Sequence, residues 1–341
     1  MFGSPLSDWL TNFIEQQGFV AGRCWRFLMG SFSRLVCQLI IPALALASTG
    51  AASADTVYSS DMSGTGVFSV ASDGTVNTIA TQITESTGLA VGPNGNLYVA
   101  GFGNSGSIFE VTPAGAVSTF ATGFNWALGI AFDSASNLYV ANSNFGGGTG
   151  TSSSISKVTP SGVVSTFVSL GSDYPASIAF NSFGNLFFAN WSIADSNGNG
   201  TIYEVTPGGA VSTFATSLTD SFGLAIDKSN NVYVGSGDIV DKITPTGTKS
   251  LYATLPTSGL MGMAFESNGN LLVGSENSGD LYQITSGHVV STYATGVDIP
   301  TFLADPSVTL PVPEPSSLAL AILGCPLLLA ARRFRHKPDA V

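Results

Sequence analysis

The stretch Gly88-Leu-Ala-Val-Gly-Pro-Asn-Gly-Asn-Leu-Tyr-Val-Ala100 opens a unit that returns at 129–141, 177–189, 223–235 and 262–274. A second stretch, Ser107-Ile-Phe-Glu-Val-Thr-Pro-Ala-Gly-Ala-Val-Ser-Thr-Phe-Ala121, follows the first and returns at 154–168, 201–215, 240–253 and 280–294. The mean spacing is about 43 residues, the length of one four-stranded unit in radial repeat proteins.

Each unit offers four short β-prone runs: Gly-Leu-Ala-Val, Asn-Leu-Tyr-Val, Ser-Ile-Phe-Glu-Val and Ala-Val-Ser-Thr-Phe. Pro-Asn-Gly-Asn and Thr-Pro-Ala-Gly lie between them and supply Gly or Asn wherever a tight turn needs a positive φ. The ends of the array settle the count. Asp55-Thr-Val-Tyr58 begins at the second strand of a unit and continues through Gly66 to Ala80, whereas Ile299 to Asp305 supplies only a first strand. Joining the two completes a sixth unit and pairs the edges that an open array leaves exposed. The expected fold is all-β: a six-bladed β-propeller of four-stranded blades over residues 55–309, closed by the N- and C-terminal strands.

Composition agrees. The 341 residues include 40 glycines, only 10% are charged, and the net charge is -11. Few Glu, Lys and Arg with many Gly, Ser, Thr and Val exclude a helical bundle. The acidic balance excludes a nucleic-acid partner, which needs a concentrated basic surface. Between residues 55 and 311 there is no arginine, and Lys157, Lys228, Lys242 and Lys249 face eighteen carboxylates. Cys24, Cys37 and Cys325 all fall outside this segment, so it holds no disulfide, thiol nucleophile or Cys-ligated metal.

Both flanks read as targeting segments. Arg23, Arg26 and Arg34 precede the apolar run Leu35 to Ala47, and the small residues ending in Ala52-Ser53-Ala54 precede Asp55. This is the order of a secretory signal over residues 1–54, with signal peptidase cutting after Ala54. Starting at Met29 rather than Met1 gives such a signal its ordinary length. In residues 310–341, Val312-Pro313-Glu314-Pro315 is followed by an apolar segment, expected as a transmembrane helix over 317–331, and then by Arg332, Arg333 and Arg335. The basic end is expected to stay cytoplasmic.

The Val-Pro-Glu-Pro box, short membrane segment and terminal arginines resemble the PEP-CTERM sorting signal. That resemblance implies a Gram-negative bacterium that makes extracellular polysaccharide, and processing by an exosortase-type enzyme. The protein is then expected to be exported across the inner membrane, anchored by its C-terminal helix, and passed to the cell surface or extracellular matrix. The repeats themselves, Gly-Ile-Ala-Phe-Asp followed by Asn-Leu-Tyr-Val-Ala, resemble NHL repeats and the gluconolactonase-like six-bladed propellers. This resemblance spans roughly residues 55 to 305; it bears on fold, because such propellers host enzymes, binders and scaffolds alike.

Turns between strands one and two, and three and four, share one face and hardly vary between copies. The connections on the other face differ, as they do where loops carry a site on a uniform scaffold. That variable face is expected to collect Glu85, Asn125, Trp126, Asn142, Asp173, Tyr174, Asn190, Trp191, Asp220, Phe222, Asp238, Glu276 and Asp298. One reading is a ring of oxygens around a channel mouth that holds a hard cation or a sugar, with Trp126, Tyr174 and Trp191 as stacking platforms. The other is that Asp and Asn bond local backbone N–H groups while the aromatics pack between blades. Asp195, Asn197 and Asn199 match the opening of a calcium loop, with Glu204 as an imperfectly spaced closing acid. His288 lies in a turn on the uniform face, which argues against a Ser-His-Asp hydrolase. Phe120, Phe167, Phe214, Tyr252 and Tyr293 recur once per blade and read as core.

Three functions stay open at this point: a surface-sorted, non-catalytic propeller that binds glycan, exopolysaccharide or matrix protein; a divalent-metal-dependent lactonase or lyase; and a structural surface component. For the enzyme, Glu85, Asn142, Asn190, Asp238 and Glu276 are the candidate ligands of a metal that polarises a carbonyl.

Overall fold

The computed structural model describes residues 56–304, apart from 63, 65, 103–105, 144–151, 192–198, 220, 298 and 299. The expected signal with Ala52 and Ala54, the Pro-Glu-Pro box, the tail helix and its arginines, Asp195, Asn197, Asp220, Asp298 and the Asn199 side chain lie outside the described residues. Among the described residues no helix is long and apolar enough to cross a membrane.

Twenty-four strands form six four-stranded antiparallel sheets. Blade 1 joins β24 (Pro300–Ala304) to β1 (Thr56–Asp61), β2 (Gly66–Ala71) and β3 (Val76–Ala80). Blade 2 holds β4 (Ser86–Val91), β5 (Leu97–Gly101), β6 (Ser107–Val111) and β7 (Val117–Ala121). Blade 3 holds β8 (Ala127–Phe132), β9 (Leu138–Asn142), β10 (Ser153–Val158) and β11 (Val164–Gly171). Blade 4 holds β12 (Pro175–Phe180), β13 (Leu186–Asn190), β14 (Asn199–Val205) and β15 (Val211–Thr219). Blade 5 holds β16 (Leu224–Ile226), β17 (Val232–Ser236), β18 (Ile239–Ile243) and β19 (Lys249–Thr254). Blade 6 holds β20 (Leu260–Phe265), β21 (Leu271–Ser275), β22 (Asp280–Ile284) and β23 (Val290–Ala294). The first strands β4, β8, β12, β16, β20 and β24 touch in that order and close into a ring, so the six-bladed expectation and its closure hold.

Burial follows the blade from axis to rim. Second strands such as β5, β9, β17 and β21 are buried along their whole length, because both faces of the sheet meet a neighbouring blade. Their sequences are accordingly continuous apolar runs rather than alternating ones. Outer strands such as β7 and β23 are exposed at their Ser-Thr centres and buried at the closing Ala. Aromatic triads stitch blade to blade. Tyr98 meets Phe120 of its own blade edge-on at 5.0 Å and Phe132 of the next at 4.9 Å, and Tyr139 repeats this with Phe167 and Phe180, both at 5.0 Å. This is the packing expected of the recurrent aromatics.

The glycine that opens each unit has a steric cause. A Cβ on Gly129 would sit 2.5 Å from the Ala176 carbonyl oxygen and 2.8 Å from the Ile178 nitrogen of the next first strand. Neighbouring backbones approach here too closely for a side chain. The slot is Ser177 in blade 4 and Phe302 in blade 1. The Phe302 ring lies 5.6 Å from Phe222, which belongs to blade 5 and therefore reaches it across the axis. Trp191 then packs on Phe222 at 5.6 Å. Together with Leu89, Leu128, Ala176 and Met261 these rings form one apolar cluster. Among the described residues, aromatic side chains therefore stand in the axis at this end.

Candidate functional site on the variable face

The carboxylates of the variable face stand apart. Glu85, Asp238 and Glu276 are exposed, each on its own blade, and Asn125 is exposed as well. Glu85 and Trp126 hold φ values of +52° and +51°, which fixes the sharp entry into β4 and β8. The Glu85 carbonyl accepts the Phe102 N–H at 3.0 Å and the Asp238 carbonyl that of Leu255 at 2.8 Å, so both residues serve their loops through the backbone. Partial desolvation pushes the Glu276 carboxyl up from its ordinary value. Trp126 is 39% exposed, and its ring stands edge-on to Phe102 at 4.3 Å. Among the described residues no three His, Cys, Asp or Glu side chains converge on a point where they would hold a metal.

The groups that do converge lie on the side of blade 4 that faces blade 3. Asn190, the last residue of β13, donates from Nδ2 to Asp173 Oδ1 at 2.9 Å and accepts the Tyr174 N–H on Oδ1 at 2.6 Å. The Trp191 N–H returns to the Tyr174 carbonyl at 2.9 Å, and Ser221 Oγ reaches the Asn190 carbonyl at 3.5 Å. One amide therefore clamps two loops. Burial pushes the Asp173 carboxyl up from its ordinary value, against hydrogen bonds from Asn190 and Tyr203 that pull it down. Burial also raises the Tyr203 hydroxyl, and the neighbouring Asp173 charge adds to the rise. A carboxyl, an amide and a phenol thus share one half-buried spot between blades 3 and 4. Perturbed acids held by specific partners gather at working sites, which makes this spot the candidate.

Asn142 is 5% exposed at the end of β9 and sits inside blade 3, where Nδ2 donates to Ser156 Oγ at 2.8 Å and to Ser154 Oγ at 3.3 Å. Its Oδ1 is buried with no hydrogen-bond partner among the described residues. Glu204 lies toward the opposite end of β14 from Asn199, about 16 Å along the strand at ordinary strand rise. It accepts Asn185 Nδ2 at 2.6 Å, in the turn between β12 and β13. Glu110, in the same slot of blade 2, accepts Asn96 at 2.6 Å and Asn94 at 2.9 Å. Glu204 is therefore a turn-bracing residue of the repeat, and the calcium-loop reading loses its closing acid.

Tyr203 was not among the expected site residues. In sequence it fills the ordinary aromatic slot of a third strand, and only the β13–β14 register, with Phe188 opposite Tyr203 and their rings stacked at 4.9 Å, turns it toward Asp173's side of the blade.

No protein-family model matches the sequence, and no curated protein matches it significantly. Solved structures do resemble it. A regucalcin described as a calcium-binding protein, from Agrobacterium tumefaciens, aligns at a TM-score of 0.54 and 14% identity over 64% of this chain and 77% of its own. A presumed gluconolactonase aligns at 0.53 and 17% over 70% of this chain and 84% of its own. The virginiamycin B lyase of Staphylococcus aureus, solved with quinupristin in a catalytically inactive form with one histidine changed to alanine, aligns at 0.51 and 14% over 72% and 87%. At these identities the likeness defines a class: the chain is a six-bladed propeller with lactonase-like and lyase-like structural neighbours.

Proposed function

We propose that this chain opens small lactone-like rings at the seam of blades 3 and 4. The observation that carries the reading is Asp173, a carboxyl held by Asn190 and Tyr203 between blades 3 and 4 and raised by burial. In ring opening, Asp173 takes a proton from the water that attacks the ring carbonyl and returns it to the ring oxygen as the C–O bond breaks. Asn190 fixes the carboxyl's orientation, and its chain neighbour Trp191 stands next to the clamp. A lactonase-like neighbour supports the substrate class. The lyase neighbour depends on a histidine, whereas the one histidine among the described residues here, His288, lies on the opposite face, which favours ring opening over that elimination. The described residues do not assemble the divalent-metal site expected for this class, calcium included, so no step is routed through a metal.

A second reading is a non-catalytic binder of glycan, exopolysaccharide or protein. The exposed Trp126 and the singly spaced acids of the rim favour it. Export by way of signal peptidase, anchoring through the C-terminal helix and sorting by an exosortase-type enzyme are part of both proposals and rest on the two flanking segments. The test is the initial rate of proton release from a panel of five- and six-membered lactones with the native protein and Asp173→Asn. Turnover lost by about 100-fold in the variant supports ring opening, at the scale of a removed acid–base group; equal rates, or none in either protein, remove it and leave the binder.

A further inference from the structure

In a repeat protein, whatever the scaffold needs recurs in every blade. Departures that gather in one place are therefore informative. Lys228 occupies a turn slot that is Pro93, Ser134, Ser182 or Ser267 in the other complete copies. His288 holds φ +62° in a slot that is Gly74, Gly115, Gly162, Gly209 or Gly247 elsewhere. A left-handed conformation disfavours a residue with a side chain, so His288 is kept against a local strain. Both departures open onto the same cavity, a groove of about 350 Å³ between blades 5 and 6 on the turn face, together with Lys242, Tyr233, Tyr252 and Phe265.

The charge balance of that groove differs from the rest of the propeller. Of the four lysines between residues 55 and 311, Lys157 pairs with Asp133 and Lys249 with Asp241, both at 3.9 Å. Lys228 and Lys242 have no carboxylate within 4 Å among the described residues, and both line the groove. Lys242 stands over the Tyr233 ring at 5.5 Å, and Lys228 Nζ reaches only the Ser267 carbonyl, at 3.5 Å. The two carboxylates present are already held by the scaffold. Asp227 accepts Tyr233 Oη at 3.1 Å and Asn231 Nδ2 at 2.7 Å, and Glu266 accepts Gln283 Nε2 at 2.6 Å. In blade 3 the corresponding Asp133 is also within 3.9 Å of Lys157. In blade 5 Lys242 makes no such pair among the described residues and stays on the groove. His288 packs on Tyr252 at 4.5 Å and forms the remaining wall.

From this convergence we infer that the groove between blades 5 and 6 binds a carboxylate-bearing ring molecule the size of one or two sugar units. Lys228 and Lys242 meet the carboxylate, and the His288–Tyr252 wall meets the ring. The site lies on the face opposite Asp173 and does not depend on the chemistry there.

Isothermal titration of the protein with D-glucuronate, D-glucose and sodium sulfate tests it. Glucuronate is expected to bind while glucose and sulfate do not, with affinity falling as salt rises. Lys228→Ala and His288→Gly are each expected to weaken binding about tenfold, the scale of one lost charge-assisted or packing contact. His288→Gly restores the residue used in the other blades, so a loss there is not a folding failure. Absence of glucuronate binding, equal binding of glucose, equal binding of sulfate, or affinity unchanged in both variants overturns the proposal.

Discussion

Ser60 and Phe302, 242 residues apart in sequence, are joined by two hydrogen bonds: the Phe302 N–H donates to Ser60 Oγ at 3.0 Å, and Ser60 Oγ approaches the Phe302 carbonyl at 3.5 Å. The β1–β24 ladder is irregular at this point, since Ser59 pairs with Leu303 but Asp61 with Pro300. A side-chain hydroxyl replaces the backbone pairing that the bulge removes, where water cannot. Ser60→Ala leaves the buried Phe302 N–H without that acceptor and is expected to destabilise the propeller by about 1–3 kcal/mol. Urea unfolding reads this as a lower midpoint at unchanged slope; an unchanged midpoint means the clasp does not hold the ring.

The tight approach of first strands gives a second expectation. Gly129→Ala drives a methyl into the Ala176 carbonyl and the Ile178 nitrogen, both backbone atoms unable to swing aside. Overpacking of this kind costs about 1–3 kcal/mol. A thermal midpoint for Gly129→Ala equal to the native one counts against the close ring.

Turn chemistry predicts a change in the opposite direction. Ser136 holds φ +64° in the β8–β9 turn, where blades 2, 4 and 6 have Gly95, Gly184 and Gly269. Ser136→Gly relieves the left-handed strain at some entropic cost and is expected to stabilise by about 0.5–1 kcal/mol. A lower melting temperature for this variant contradicts the assigned turn.

The shifted carboxyls predict the pH profile. Asp173 and Asp241 are raised by burial, in Asp241 against the charge of Lys249. Their contribution to stability is present below the ordinary carboxylate range and is lost as pH rises through their raised values. Glu110 is lowered, chiefly by its Asn96 hydrogen bond, so its contribution is present above that range and is lost as pH falls through its lowered value. Stability is therefore expected to rise on acidification through the raised values of Asp173 and Asp241, and the Glu110 contribution to be lost at more acidic pH, below the ordinary carboxylate range. Asp173→Asn removes part of the rise. Melts of both proteins across this range check it, and a variant with the native profile shows that Asp173 is not desolvated.

The blades were legible because the signals are local and repeated: apolar second strands, Gly at the crowded first strand, and turn residues at fixed offsets. The sixth blade followed from where the array begins and stops. The site was harder to read. Glu204 looked like a calcium ligand because Asp195, Asn197 and Asn199 precede it, yet the blade places it beside Asn185 in the slot that Glu110 fills. The axial plug depends on Phe302 meeting Phe222 from another blade, a contact that no local pattern encodes. Asp173 and Asn190 were singled out from the loops, but their mutual bond and the role of Tyr203 come from strand register.

The most direct test of the seam between blades 3 and 4 uses Trp191, the residue after Asn190, as its reporter. In a chain beginning at residue 55 and carrying Trp126→Phe, Trp191 is the one remaining tryptophan. Its fluorescence is followed as D-glucono-δ-lactone is added, with and without Asn190→Ala. A saturable change that weakens about tenfold or more when the Asn190 clamp is removed is the predicted result. A flat Trp191 signal while the same sample opens the lactone, or no response in either protein, contradicts the assignment of this seam as the site.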